Sequence, residues 1–266
     1  MSRQAAAHPA LEAKLKRVAI LTLNFQSVLK GPTRPDGALE FMDIPDMFAD
    51  RFGVHYVEVF CSHFESTEPA YFKQFGERLK KAKSKINQIS LGGLSVVDMS
   101  SPNPVLRTET IDLSKQWIDH AVALECPRVM VNQGSMPVEY LDEVIKTLKA
   151  ISDYGKSKKV FVTLEPRGQT KADLVDVIQK AGAYSNADMG NYPDDETRHR
   201  EMRRMYPFDT GSTHIKYAPD RWDFEAAIKL WLSLGFKGIF ALEGGGGDPY
   251  ATTQKMRDAL LPLIPA

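Results

Sequence analysis

The sequence predicts a (β/α)8 barrel of the TIM type, formed as a single domain over residues 1–266. Three observations predict it. The length is close to the ~250 residues such barrels need, eight short β-branched runs alternate with amphipathic helical patterns, and no composition break or Pro/Gly/Ser linker separates them. The alternation alone also admits an open doubly wound sheet; eight strands with interleaved helices fit the barrel better.

Taken in order, Met1 to Lys14 lacks the apolar core of a signal peptide and reads as a mobile arm or short capping segment. The eight strands are read at Arg17–Leu23, His55–Phe60, Ile86–Val97, Arg128–Val131, Lys159–Glu165, Ala183–Asp188, Thr213–Lys216 and Gly238–Glu243. Runs such as VAILTL and VFVTLE are nearly continuous hydrophobics, as strands buried on both faces require. The third helix places Ile111, Trp117, Ile118, Ala121 and Val122 on one side, and the fourth does so with Val138, Leu141, Val144, Ile145 and Leu148. Trp117 and Trp231 fall at core spacing and read as packing. Gly53, Gly155, Gly182 and Gly235 each stand shortly before a strand, where a left-handed helix cap costs glycine least. Asp194 to Arg204, DDETRHREMRR, is charged nearly all round and reads as a solvated helix face.

Composition excludes several classes. Thirty-four Lys plus Arg balance 34 Asp plus Glu, which is a poor electrostatic footprint for nucleic acid, and 43% hydrophobic residues exclude disorder. No stretch reaches the roughly 18 apolar residues of a membrane span, so a cytoplasmic protein without membrane contact is expected. Cys61 and Cys126 match no disulfide framework or zinc motif and are expected to be reduced thiols.

In a barrel of this kind chemistry is built where the strands finish. Four consecutive strands end in a metal-ligand type: Glu165 in VTLEPRG, Asp188 in NADMGNYP, His214 in STHIKYA and Glu243 in FALEGGGG, spaced by 23, 26 and 29 residues. Each gap is about one βα unit, so four neighbouring strands would present four ligands to one point. Three carboxylates around one cavity repel one another, and a divalent cation removes that cost. Three carboxylates and one imidazole without a thiolate suit one divalent ion, with Mn²⁺ favoured over Co²⁺ or Mg²⁺. Open positions on the ion would accept a carbonyl and its adjacent hydroxyl, acidifying the C–H between them.

These residues resemble the sugar phosphate isomerase/epimerase family, the xylose-isomerase-like TIM barrels. The resemblance covers almost the whole chain, through RFGVHYVEVF leading into the second strand, LEPRG after the fifth, DMGN after the sixth, HIKY on the seventh and GFKGIFALE at the close. In ketose 3-epimerases of that family the corresponding four residues bind one divalent metal, which implies the same for Glu165, Asp188, His214 and Glu243. It also implies that Glu165 and Glu243 form an acid/base pair on opposite faces of a keto sugar, with a cis-enediolate between. The chain departs from the family's pattern at Asn191, where a histidine is usual, at Tyr217, and after the fifth strand, where Arg167 and Lys171 stand in a loop that in some members carries a glutamate.

Side-chain alternation nominates further substrate-binding residues. Lys216 shares a face with His214, Arg167 with Glu165 if extended geometry continues, and Arg221 follows seven residues after His214. Asn191 and His63 complete the set of candidate substrate-binding residues; Glu65 and Asp98 are weaker candidates near the cavity mouth, and Glu58, inside the second strand, is a candidate for the pocket wall. Gly244 to Gly247 could offer backbone N–H groups to an anion, but they read first as a flexible turn.

The expected function is therefore metal-dependent isomerisation or epimerisation of a small-molecule keto sugar, by a chain that could be a homo-oligomer. A dehydratase of keto-inositols or a lyase of 3-oxo-glycosides would use the same site. A metal-dependent abasic-site endonuclease shares the barrel but uses several more histidines than the six present here would supply at strand ends. A non-catalytic sugar-binding subunit is disfavoured by the intact ligand set.

Overall fold

The computed structural model describes residues 9–31, 34–92, 98–131, 133–168 and 170–266. The eight strands are β1 (Val18–Leu21), β2 (Tyr56–Phe60), β3 (Lys85–Ser90), β4 (Arg128–Met130), β5 (Phe161–Leu164), β6 (Tyr184–Ser185), β7 (Ser212–Ile215) and β8 (Ile239–Leu242). All pair in parallel, in the order β6-β5-β4-β3-β2-β1-β8-β7. Every expected strand is present. The third is shorter than expected, ending at Ser90, and the part of that expectation covering residues 93–97 lies outside the described residues, as do residues 1–8 of the N-terminal arm.

Among the described residues, nine α-helices accompany the strands: α1 (Pro9–Leu15), α2 (Ile44–Phe52), α3 (Pro69–Lys81), α4 (Pro104–Ala123), α5 (Leu141–Ser157), α6 (Leu174–Ala181), α7 (Asp195–Met205), α8 (Phe224–Ser233) and α9 (Pro249–Leu260). From α2 onward, each follows a strand in turn. The apolar layer between sheet and helices carries the bulk of the core, with Val18, Ile20, Phe48, Phe52, Trp117 and Trp231 buried in it. Among the described residues, no helix is long and apolar enough to cross a membrane.

The ladder curls into a barrel whose seam lies between β6 and β7. There the joining contacts are few and come partly from side chains: an isolated bridge between Ser185 and Asp209, Asn186 Oδ1 accepting from the His214 amide at 2.9 Å, and Thr213 Oγ1 donating to the Ala187 carbonyl at 2.5 Å. The Met189 amide adds a bond to the His214 carbonyl at 3.1 Å. The seam thus passes through the two segments that carry Asp188 and His214.

Several details correct the sequence reading. Val122 is exposed because the buried stripe of α4 runs through Thr110, Ser114, Trp117, Ile118 and Ala121, and the next residue turns roughly 100° away from Ala121. Val138 is exposed in a 3-10 turn before α5. Gly53, Gly182 and Gly235 do take the left-handed conformation, but Gly155 does not; it lies inside α5, and Lys159 (φ 60°) makes the turn instead. Gly155 is needed for close approach, since a Cβ there would stand 2.7 Å from both the Val160 carbonyl oxygen and Val162 Cγ2. The charged segment forms α7 as expected, yet it is not wholly solvated. Arg198 is buried, donates from Nε to the Met189 carbonyl at 2.6 Å and lies 4.6 Å from the Trp222 ring, clamping the loop that follows Asp188.

Candidate metal centre

Glu165 and Glu243 are the first residues beyond β5 and β8, Asp188 lies three beyond β6, and His214 is within β7. The curl of the sheet brings one ligand atom from each to within 4.8 Å of all the others. His214 stands at the middle of the group. Its Nδ1 faces Glu165 Oε2 at 3.1 Å and Glu243 Oε2 at 3.0 Å. On the other edge of the ring, Nε2 meets Glu58 Oε1 at 2.5 Å.

Glu58 is fully buried and held as an acceptor from several directions. Gln88 Nε2 donates to Oε1 at 2.8 Å and Asn87 Nδ2 to Oε2 at 3.1 Å. A register irregularity between Val57 and Glu58 brings both amides to one carboxylate, because β3 supplies Asn87 as an extra residue and pairs Gln88 with Glu58. Gln88 Oε1 in turn accepts from Thr163 Oγ1 at 2.9 Å. With Nε2–H committed to Glu58, Nδ1 is the nitrogen left facing Glu165 and Glu243, and loss of its proton would present a lone pair to a metal held between them. This carboxylate–imidazole arrangement fixes the tautomer that a metal ligand requires.

The remaining candidate ligands are oriented just as firmly. Asp188 Oδ1 accepts from the Gly190 amide at 2.8 Å, and Oδ2 accepts from Lys216 Nζ at 2.6 Å. Lys216 also reaches Asn191 Oδ1 at 2.8 Å and Glu243 Oε1 at 3.2 Å. Its stem crosses Gly190 so closely that a Cβ there would fall 2.7 Å from Lys216 Cδ, which accounts for the glycine in DMGN. Arg167 Nη2 pairs with Glu165 Oε1 at 2.8 Å, and Gln133 Nε2 donates to the Glu165 carbonyl.

Electrostatics favour an added cation. Four carboxylates, Glu58, Glu165, Asp188 and Glu243, face the two fixed cations Arg167 and Lys216, which leaves a charge that one divalent ion would balance. Without an ion, burial alone would make His214 less basic, but Glu58 and the hydrogen-bonded Glu165 and Glu243 outweigh it and raise its pKa well above the ordinary histidine value. Burial pushes the Asp188 carboxyl up in spite of Lys216. Burial would do the same to Glu243, but its hydrogen bond to His214 and the charge there bring it below the ordinary value. For Lys216, Asp188 and Glu243 overcome desolvation and raise the pKa. Three carboxylates and a tautomer-locked imidazole therefore form a donor set that could hold one divalent cation.

A cavity of about 360 Å³ opens over this group, walled by Phe60, Met130, Arg167, Asn191 and Lys216 among others. A larger one of about 690 Å³ adjoins it, sharing Leu23, Lys216 and Glu243, and Arg221 lies on its wall. His63 lines neither cavity. Its Nδ1 bonds Thr22 Oγ1 at 2.8 Å, its ring stacks on Phe60 at 5.8 Å, and burial pushes its pKa down to about 4. Asp98 accepts from the Ser100 amide at 2.9 Å, and the Glu65 amide is 3.4 Å from the Tyr71 hydroxyl. Cys61 and Cys126 are buried free thiols, each pushed up to about 12 by burial. Asn87, Gln88 and Gln133 escaped the sequence reading. Two adjacent amides in the otherwise buried strand KINQIS were the available signal, since polar groups buried on a strand need a specific partner.

The family described as the xylose isomerase-like TIM barrel matches residues 48–260, and the chain belongs to it. No curated protein sequence matches it significantly. Among solved structures, the fold is similar to a D-allulose 3-epimerase from Methylomonas sp., with TM-score 0.73, 14% identity and coverage of 94% of this chain and 99% of that one. It is similar to a xylose isomerase-like TIM barrel protein from Mycobacterium smegmatis, in complex with magnesium, at TM-score 0.71 and 16% identity over 94% and 97% of the two chains. A probable 3-DHS dehydratase, AsbF of Bacillus anthracis, gives TM-score 0.68 and 12% identity over 92% and 98%.

Proposed function

We propose that the chain is a divalent-metal-dependent isomerase or epimerase of a keto sugar, with Mn²⁺ as the favoured ion and Glu165 and Glu243 as its acid/base pair. The observation that carries this reading is the placement of these two carboxylates around one point, each about 3 Å from His214 Nδ1. Glu165, Asp188, His214 and Glu243 would hold the ion, which would supply Lewis acidity at the substrate's carbonyl and hydroxyl oxygens. One glutamate removes the proton beside the carbonyl, and the other returns a proton from the opposite side, inverting the carbon by way of a cis-enediolate. Arg167 stays on Glu165 and Lys216 on Glu243, so each base has a cation beside it that fixes its orientation. Asn191 and Lys216 contact substrate hydroxyls on the rim, and Arg221 binds the end that extends into the larger cavity. His63 supports the Phe60 wall.

The test is Glu165→Gln and Glu243→Gln. Each keeps a carbonyl oxygen for the metal and loses the base, so turnover falls by about 100-fold or more while bound metal, measured by elemental analysis, and secondary structure persist. Wild-type turnover in either metal-loaded variant would rule the pair out. A lyase or dehydratase reading is favoured by the fold similarity to AsbF. In that case one glutamate abstracts the proton and Lys216, an ammonium 3.2 Å from Glu243, protonates the leaving group. Appearance of an eliminated product in place of a C-inverted sugar distinguishes the two.

A further inference from the structure

The larger cavity is chemically unlike the smaller one. At the end it shares with the metal cluster it has Glu243 and Lys216; elsewhere its charged residues are Arg34 and Arg221. Those two arginines stand apart from the other described arginines. Arg78, Arg107, Arg167, Arg198, Arg200, Arg204 and Arg257 each pair with a carboxylate. Arg17, Arg51, Arg128 and Arg203 rest on aromatic rings or hydrogen-bond acceptors. Among the described residues, only the Arg34 and Arg221 guanidinium groups make no hydrogen bond, ion pair or ring contact, and both line one cavity contiguous with the metal centre.

The glycine loop on the same wall adds donors. Gly244 N–H is used by Asn24 Oδ1 at 2.7 Å, whereas the Gly245 and Gly246 amides have no partner among the described residues. A Cβ at either position would meet nothing within 4 Å, so the loop borders open space. The start of α9 is not the donor here: Asp248 Oδ1 already caps the Tyr250 and Ala251 amides at 2.8 and 3.4 Å.

We propose that Arg34 and Arg221, with the Gly245 and Gly246 amides, bind an anionic terminus of the substrate, so that the keto sugar is a phosphate ester or a sugar acid rather than a neutral ketose. This inference rests on the keto-sugar reading above and names the substrate class for it. The reacting carbon lies over Glu165 and Glu243 in the smaller cavity, and the chain of the sugar runs past Lys216 into the larger one. Two guanidinium forks meet an anion with charge-assisted hydrogen bonds, and neither is already paired with a carboxylate.

Binding of D-fructose, D-fructose 6-phosphate and 5-keto-D-gluconate to the metal-free protein, measured by calorimetry at low salt, tests this without any turnover. At least one anionic sugar binds tighter than D-fructose by about tenfold or more. The tighter of the two names phosphate or carboxylate as the source. In the R34Q/R221Q double variant, checked for native circular dichroism, the preference collapses towards one. Equal binding of all three sugars, or a preference that survives the double substitution, overturns the proposal. Exchange of the proton beside the carbonyl in the metal-loaded protein is followed separately. Preference without exchange supports the anion site and sinks the isomerase reading, and exchange without preference does the reverse.

Discussion

His214 shows how much of a metal site is decided by a side chain that need not touch the metal. Its Nε2–H is spent on Glu58 at 2.5 Å, so Nδ1 is the nitrogen that would give up its proton to bind a metal where the other carboxylates converge. Glu58→Gln removes the charge that makes the ring a good donor, and divalent-metal affinity measured by calorimetry falls by about 10- to 100-fold. Unchanged affinity would mean that Glu58 only fills space. Asp209, at the base of β7, supports a second prediction. Burial raises its carboxyl to about 6 although the Gly211 amide bonds Oδ2 at 2.8 Å. The folded state therefore keeps a proton that the unfolded chain releases near its ordinary value of 3.8. Stability from this group is full below that value and is lost as pH rises through about 6. Asp209→Asn is neutral throughout, so thermal unfolding shows a higher Tm than wild type at pH 8 and none of that gain at pH 4.

Among the elements, α5 and the β6–β7 seam make the sharpest demands. Gly155→Ala puts a methyl group against the Val160 carbonyl and Val162, and overpacking of this kind costs about 1–3 kcal/mol, readable by denaturant unfolding. At the seam, Asn186→Ala removes the acceptor for the His214 amide. That amide then exchanges faster with solvent, and metal affinity drops because His214 and Asp188 are no longer held in register. Strand positions and the four clustered residues of metal-ligand type were legible in the sequence for one reason: buried parallel strands are apolar runs, and an ionisable side chain at the end of such a run stands out. The same reasoning could not find what depends on neighbours in space. Gly155 looks like any helix-terminal glycine, Arg198 is hidden in a run of charge, and the pairing of Gln88 with Glu58 depends on an irregular register that periodicity does not carry.

At one end of its strands the barrel gathers negative charge that the neighbouring Arg167 and Lys216 do not neutralise, and a bound ion should therefore stabilise the fold. Adding divalent metal raises Tm in a concentration-dependent way, by the equivalent of about 2.7 kcal/mol at a hundredfold excess over Kd, and a chelator reverses it. A Tm indifferent to metal would contradict the assignment of Glu165, Asp188, His214 and Glu243 as one site. The central claim is that two glutamates flank one acidified carbon, and proton exchange reports on it most directly. The Mn²⁺-loaded protein is incubated in D₂O with free ketoses, ketose phosphates, ketose acids, keto-inositols and 3-oxo-glucosides, and followed by NMR. Deuterium is expected to enter beside a carbonyl in a keto sugar, without elimination; a panel that stays fully protonated with metal bound would rule out the glutamate pair.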